Sequence, residues 1–195
     1  MIPQLRCDDF PCGMPEYRYH PELLEQVENL GVPYWLGIVP DLLTEDDTAK
    51  LLKLNHAIFA QHGFDHGFSR WRPQSEFDGM TETDLTIKLV ETRRNLTTRG
   101  LWNATHFRAF IPPFNRFSQE LLNSLNHEGF THITGGPESY SQQATDTFDF
   151  GALTFVPSLP PYYTSNGSFT DTVRLLSEVP IGSQVTIHLC DTYGT

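Results

Sequence analysis

The chain has 195 residues, of which 38% are hydrophobic and 12% aromatic, and a formal net charge of −11. This composition excludes an intrinsically disordered chain, and the length is enough to bury a core. The strong acidity argues against nucleic acid as a partner, because phosphate binding needs a basic surface. No apolar run approaches the roughly 20 residues of a membrane-spanning helix. We therefore expect residues 1–195 to form one globular domain.

The hydrophobic pattern alternates between strands and helices along the chain. Short apolar runs predict strands, and amphipathic runs behind capping residues such as Thr44 and Thr81 predict helices. In chain order, the predicted elements are a strand at 2–7, a helix at 20–30, a strand at 34–39, a helix at 44–55, a strand at 57–61, a helix at 81–98, a strand at 106–111, a helix at 117–127, strands at 131–134 and 151–156, a helix at 169–178 and a strand at 185–190. This alternation predicts a parallel α/β sheet, either doubly wound or closed as a barrel.

The three cysteines, Cys7, Cys12 and Cys190, are sparse and form no C-x-x-C motif. We interpret them as reduced thiols, with Cys7 and Cys190 as small buried hydrophobic residues in apolar strands. No secretory signal opens the chain. Together these features predict a cytoplasmic protein.

Several side chains that can carry chemistry lie at the C-terminal ends of predicted strands, the edge where sites form in parallel α/β proteins. Asp8 and Asp9 follow the first strand, His62 ends the third, and His66 comes four residues later across a glycine-containing turn. Two histidines and one carboxylate form an open metal site that suits zinc, cobalt or iron. The adjacent aspartate would be free to take a proton from water, and His188 is a candidate acid for the leaving group.

Each of these features also has an ordinary structural interpretation. An Asp-Asp pair is common in turns, His62 and His66 could be surface loop residues, and a histidine such as His188 is often a core residue in an apolar strand. The aromatic residues of the long loop at 63–80 could stack on a sugar face or pack in the core. The joint occurrence of the candidates at one edge favours a site.

In this order, the motifs resemble those of the polysaccharide deacetylase family, also called the NodB homology group or carbohydrate esterase family 4. Residues 7–10 (Cys-Asp-Asp-Phe) resemble the first motif and residues 62–66 (His-Gly-Phe-Asp-His) the second. Residues 110–115 (Phe-Ile-Pro-Pro-Phe-Asn) are similar to the third motif, and residues 187–189 (Ile-His-Leu) to the last. The resemblance covers most of the chain, is closer still to a divergent branch of the family, and implies an α/β fold, a distorted (β/α)7 barrel.

The resemblance implies a metal-dependent hydrolase that removes N- or O-linked acetyl groups from a sugar or polysaccharide, as in bacterial surface-glycan (O-antigen) synthesis. It implies that Asp8 is the catalytic base, that His188 is the general acid, and that Asp9, His62 and His66 bind a divalent metal. Zinc is the expected metal, with cobalt, iron or nickel as alternatives. The residues expected to contact substrate are Pro113, Phe114, Asn115, Phe64 and Trp71.

One position departs from the family pattern. The third motif usually has an arginine just before Pro-Pro, and Ile111 stands there in this chain. Arg6 and Arg108 are the candidates to replace it. The departure keeps open a non-catalytic carbohydrate-binding protein on a degenerate barrel, a hydrolase of a non-sugar amide on the same barrel, and an α/β domain with coincidental histidines. The sequence does not set the oligomeric state.

Overall fold

The fold is described from a computed structural model that covers residues 3–12, 20–66, 76–77, 79–103, 105–135, 148–158, 163–164 and 169–190. The strands are β1 (Leu5–Phe10), β2 (Tyr34–Ile38), β3 (Ala57–Gln61), β4 (Ala109–Phe110), β5 (His132–Gly135), β6 (Phe148–Phe150), β7 (Leu153–Pro157), β8 (Tyr163–Thr164) and β9 (Val185–His188). The helices are α1 (Pro21–Glu28), α2 (Glu45–Leu51), α3 (Glu82–Thr98), α4 (Gln119–His127) and α5 (Phe169–Leu176), with 3-10 turns at Pro40–Leu42 and Pro113–Asn115.

Within the described residues, the strands form one nine-stranded sheet in the order β6-β7-β5-β4-β3-β2-β1-β9-β8. All neighbouring pairs are parallel except β6 with β7. Strand β1 lies between β2 and β9 and is buried along its whole length. A strand paired on both edges and covered on both faces is typical of a parallel α/β sheet.

The sheet curls until strands that are far apart in its order touch. The backbone N–H of Gln184, just before β9, donates to the carbonyl of Pro157 in β7 at 3.0 Å, although five strands separate β7 and β9 in the sheet. The hydroxyl groups of Ser158 and Thr186 also form a hydrogen bond across this gap. The curled, mixed sheet confirms the predicted fold class, a distorted (β/α)7 barrel.

The helices begin where the sequence predicts and pack on the outside of the sheet. Thr44 and Asp47 form a reciprocal capping box at α2, and the Thr81 hydroxyl accepts from the N–H of Asp84 at α3. One hydrophobic cluster lies under α1 and α5, and a second lies under α3 and α4. Among the described residues, no helix combines the length and the apolar character needed to cross a membrane.

The sheet differs from the sequence prediction in three places. Strand β1 is shifted from 2–7 to Leu5–Phe10 because it pairs with both β2 and β9, which overrides the preference of aspartate for turns. The strand predicted at 106–111 shrinks to the two residues of β4. Strands β6 and β8 fall in regions predicted to be irregular.

The cysteine prediction is wrong in one respect. Cys12 and Cys190 form a disulfide, with their Cα atoms 6.1 Å apart and 178 residues between them in sequence. Cys7 is a free thiol buried in β1, as predicted, and burial raises its pKa well above the ordinary value. Sequence distance hides the disulfide, because only the pairing of β1 with β9 brings the two cysteines together.

Candidate metal centre

Asp9, His62 and His66 converge at the C-terminal edge of the sheet. Oδ1 of Asp9 lies 3.0 Å from Nε2 of His62 and 3.1 Å from Nε2 of His66, and all three residues are buried. Asp9 lies near the end of β1 and His62 directly follows β3, so the parallel alignment puts both at one edge. The structure therefore brings together the three residues that the sequence singled out as metal ligands.

Gly37 on β2 makes the space for this arrangement, a role that sequence reasoning missed. Strand β2 separates the two strands that carry the cluster. A Cβ atom on Gly37 would lie 3.1 Å from Cδ1 of Ile111 and 3.3 Å from Cβ of His62. A side chain at position 37 would therefore press on His62.

The hydrogen bonds of His62 fit a cation between it and Asp9. Nδ1 of His62 lies 2.8 Å from the carbonyl oxygen of Ile111, which can only accept, so Nδ1 carries a proton. In a neutral ring, Nε2 then presents a lone pair to a carboxylate oxygen 3.0 Å away. Two acceptors this close require a proton or a metal between them. Ligands of tetrahedral zinc lie about 3.3 Å apart, given metal–ligand bonds of about 2.0–2.1 Å, and a histidine ligand typically donates its other N–H in this way.

The electrostatics of the cluster keep a carboxylate and a lone pair available. Burial alone would raise the pKa of Asp9, but the hydrogen bonds from His62 and His66 lower it well below the ordinary value. Burial alone would lower the pKa of His62, but the hydrogen bond to Asp9 and the charge of Asp8 raise it. The pKa of His66 is lowered, chiefly by burial. Asp9 is therefore anionic at neutral pH, and His66 is neutral enough to donate a lone pair.

The backbone at this edge is strained. Asp9, His66, Phe114 and Asn115 have left-handed φ angles of 69°, 67°, 55° and 54°. Among the described non-glycine residues, only Phe107, a core residue, shares this conformation. Each such residue costs about 1–3 kcal/mol and persists only where its surroundings hold it, which is typical of functional sites.

Arg6 holds the carboxylate of Asp8 with two parallel hydrogen bonds. Nε of Arg6 donates to Oδ1 of Asp8 at 2.8 Å and Nη2 donates to Oδ2 at 2.5 Å. Nη2 also donates to Oδ1 of Asn115 at 3.1 Å, and Nη1 donates to the Thr134 hydroxyl at 3.3 Å. That hydroxyl donates in turn to Gln184 at 2.8 Å. The guanidinium is therefore fixed from several strands of the barrel, and it fixes Asp8.

His188 lies beside Asp8 on the neighbouring strand. The two residues are register partners in the β1–β9 pair, and Nε2 of His188 is 3.9 Å from Oδ2 of Asp8. Burial alone would raise the pKa of Asp8, but the charge of Arg6, followed by that of His62, lowers it. Asp8 is therefore ionised at neutral pH, next to an imidazole that remains 17% exposed.

The residues predicted to contact substrate fall into different environments. Phe114 is 39% exposed, and its ring centroid lies 5.0 Å from that of His66, at the open side of the cluster. Asn115 instead accepts from Arg6 inside the site. Pro113 is buried, and Phe64 is only 1% exposed and packs in the core, so neither forms the open substrate surface that the sequence predicts. Trp71 lies outside the described residues.

Glu76 supports the turn that carries the two histidines, a second role that sequence reasoning missed. Its carboxylate accepts from the backbone N–H of Phe64 at 2.9 and 3.0 Å and from that of Asp65 at 3.3 Å. Burial, and then the charge of Asp65, raise the pKa of Glu76 to about 7 against the N–H bonds and the charge of Lys88, which lower it. The carboxylate is therefore enclosed rather than solvated.

Glu76→Gln is expected to remove a pH dependence of stability. Because the folded pKa of about 7 exceeds the ordinary value of 4.5, folding is penalised when the carboxylate is charged. The penalty is full above pH 7 and disappears as the pH falls towards 4.5, on the order of 2–3 kcal/mol in total. Relative to the glutamine variant, the wild type should therefore gain free energy of unfolding between pH 8 and pH 5. Urea unfolding of both metal-free proteins across this range tests it; a constant difference contradicts the expectation.

Comparison with known proteins supports the fold and not the sequence family. No family model matches the chain, and no curated protein matches it. Among solved structures, a protein from Mycobacterium smegmatis, provisionally assigned as a polysaccharide deacetylase, superposes with a TM-score of 0.61 at 14% identity over 87% of this chain. This chain spans 63% of the length of that protein.

Two further structures come from carbohydrate esterase family 4. An acetyl xylan esterase from Clostridium thermocellum, solved with a cobalt ion, has a TM-score of 0.54 at 14% identity, covering 97% of this chain and 88% of the esterase. A pseudoenzyme from Bacillus anthracis has a TM-score of 0.54 at 13% identity, covering 94% of this chain and 62% of its own. At such identities the likeness establishes the fold alone: the chain has the fold of the polysaccharide deacetylases and family 4 esterases.

Proposed function

We propose that this chain is a metal-dependent hydrolase that removes acetyl groups from a sugar or polysaccharide. The observation that carries the proposal is the buried Asp9–His62–His66 cluster with Asp8 and His188 beside it. The cluster offers a divalent metal three ligands, and the fold is that of esterases whose printed names include an acetyl xylan esterase solved with cobalt. Zinc is the proposed metal, with cobalt, iron or nickel as alternatives.

The proposed roles follow from the positions of the side chains. A divalent metal bound by Asp9, His62 and His66 would polarise the acetyl carbonyl and lower the pKa of water. Asp8, ionised at neutral pH, accepts the proton of the water that attacks the carbonyl. His188 donates a proton to the leaving nitrogen or oxygen, so that the C–N or C–O bond breaks and acetate departs. Because Asp8 and His188 are register partners on adjacent strands, both can reach one acetyl group.

Arg6 is proposed to replace the arginine that is missing at Ile111. It pairs with both oxygens of Asp8 from two residues earlier on the same strand, whereas Arg108 donates to the carbonyl of Gly129. Bidentate pairing orients the carboxylate and keeps it charged. Arg6 is thus a positioning residue for the proposed base.

The substrate and the cellular location remain proposals. Phe114 offers an exposed ring beside the cluster, which suits the apolar face of a sugar. A bacterial surface glycan such as O-antigen is the proposed substrate class. Cytoplasmic placement was predicted from reduced cysteines, and the Cys12–Cys190 disulfide counts against it because disulfides persist mainly in oxidising compartments.

A non-catalytic carbohydrate-binding protein is the second candidate. A family 4 pseudoenzyme shares the fold, so the fold does not guarantee catalysis. The Arg6–Asp8 pair favours the enzyme, because it fixes and charges the group that a binding protein does not need. Hydrolysis of a non-sugar amide would use the same residues and is distinguished by substrate alone.

Acetate release from N-acetylated and O-acetylated sugars and polysaccharides tests the proposal. We expect release by the Zn²⁺-loaded protein, and a loss of about 10²–10⁴-fold in Asp8→Asn, which removes the base but retains the shape. His127→Gln, on a histidine whose side chain is 74% exposed, is the matched control and should keep full activity. Sugar binding without acetate release from any substrate would favour the binding protein, and release only from non-sugar amides would favour the amide hydrolase.

A further inference from the structure

The turn at residues 62–66 is held by its carbonyl groups on one side. The carbonyl of Gly63 accepts from Nε2 of Gln61 at 3.1 Å, and the carbonyl of Phe64 accepts from the backbone N–H of Asp41 at 3.0 Å. Both His62 and His66 lie at the ends of this turn, so its shape sets the distance between the two imidazoles. Their ring centroids are 4.7 Å apart.

On the other side, the amide groups of the turn point at a single carboxylate. The successive N–H groups of Phe64 and Asp65 both donate to Glu76, at 2.9 to 3.3 Å. Successive amides in a turn form a concavity that binds anions. Here the anion is a side chain of the same molecule, which arrives from 11 and 12 residues further along the chain.

The backbone at Gly63 lets the carboxylate approach this closely. Gly63 has a φ angle of +67°, and a Cβ atom there would lie 1.9 Å from Oε1 of Glu76 and 2.6 Å from Cγ of Pro113. No residue with a side chain fits between them. Glycine at position 63 and glutamate at position 76 are therefore parts of one arrangement.

Glu76 is itself anchored independently of the turn. The adjacent Phe77 is 3% exposed, and its ring packs 5.5 Å from Phe64 and 5.7 Å from Phe110. Nζ of Lys88 on α3 lies 4.9 Å from the centre of the Phe64 ring. The hydrophobic cluster under α3 and α4 thus fixes the position of the carboxylate, and the carboxylate fixes the turn.

We propose that Glu76 is a positioning residue for the metal centre, which sets metal affinity by holding the turn between His62 and His66. The inference rests on the proposed metal site and not on the acetyl substrate. Its consequence is a loss of affinity for the metal when the carboxylate is removed, even though Glu76 does not belong to the Asp9–His62–His66 ligand set.

The test is the affinity of the purified chain for Zn²⁺, measured by competition with a chromophoric chelator. Glu76→Ala should weaken Zn²⁺ binding about 10–100-fold, the range typical of supporting contacts around metal ligands. Glu76→Gln keeps the size of the side chain and one oxygen acceptor and should give a smaller loss. This second variant keeps the test valid if the alanine variant does not fold.

Leu125→Ala is the matched control, because Leu125 is fully buried on α4 in the same hydrophobic cluster. It should lower the free energy of unfolding of the metal-free protein and leave Zn²⁺ affinity unchanged. The inference is overturned if the Glu76 variants bind Zn²⁺ within about twofold of the wild type, or if the wild type itself binds none. Weakened Zn²⁺ binding without acetate release from any substrate would support the inference while the proposed function fails.

Discussion

His66→Ala and Asp9→Asn should each abolish stoichiometric Zn²⁺ binding and, with it, acetate release. Asp9 is the point of contact for both imidazoles, so either change removes one of three ligands and disturbs a second. We expect a loss of affinity above about 100-fold, beyond the range for a supporting contact. Metal content after dialysis and chelator competition give the measurement, and acetate release gives the functional readout.

His127→Gln serves again as the control for this experiment, because it removes a histidine without touching the cluster. It should retain full metal content. The metal assignment is wrong if either ligand variant retains one Zn²⁺ per chain at wild-type affinity. A loss of metal with retained acetate release would instead separate the metal from the reaction and refute the proposed mechanism.

Arg6→Met should have the second largest effect, a fall in kcat of about 100-fold or more with metal binding retained. The change leaves the Asp8 carboxylate buried without its partner, which costs about 3–5 kcal/mol of stability. The base also loses the two hydrogen bonds that orient it, and misplacement by about 1 Å can cost 100-fold in rate. Urea unfolding, Zn²⁺ content and steady-state kinetics measure the three effects separately.

A double-mutant cycle distinguishes this positioning role from general destabilisation. In the Asp8→Asn background no buried carboxylate is left unpaired, so Arg6→Met should cost about 2–3 kcal/mol less stability there. It should also cause little further loss of kcat, because the group that it positions is already gone. Additive effects on both stability and kcat would rule out the pair as a functional unit.

The location of the site could be predicted because it follows from a general property of parallel sheets. Asp9 and His62 belong to strands separated by one other strand, and both residues lie at the C-terminal edge. Periodicity and strand order suffice to bring them together. The pairing of Arg6 with Asp8 also had a signal, because residues two apart on a strand share a face.

The rest of the site depends on contacts that no local pattern reveals. Glu76 reaches the turn only because Phe77 packs in the core, and Gly37 matters only because β2 passes between the two strands that carry the cluster. Phe64 was predicted to face substrate from its loop position, and the hydrophobic effect instead buries it. These are tertiary outcomes, set by packing across distant segments.

The Cys12–Cys190 disulfide turns most of the chain into a covalent ring. It joins the segment after β1 to the end of β9, so residues 12–190 are closed on themselves. A single backbone cut inside this ring leaves one connected molecule, in which the strand that carries Asp8 and Asp9 stays tied to the strand that carries His188. A nicked chain can therefore keep the proposed base and acid together, and it separates into two pieces only after reduction.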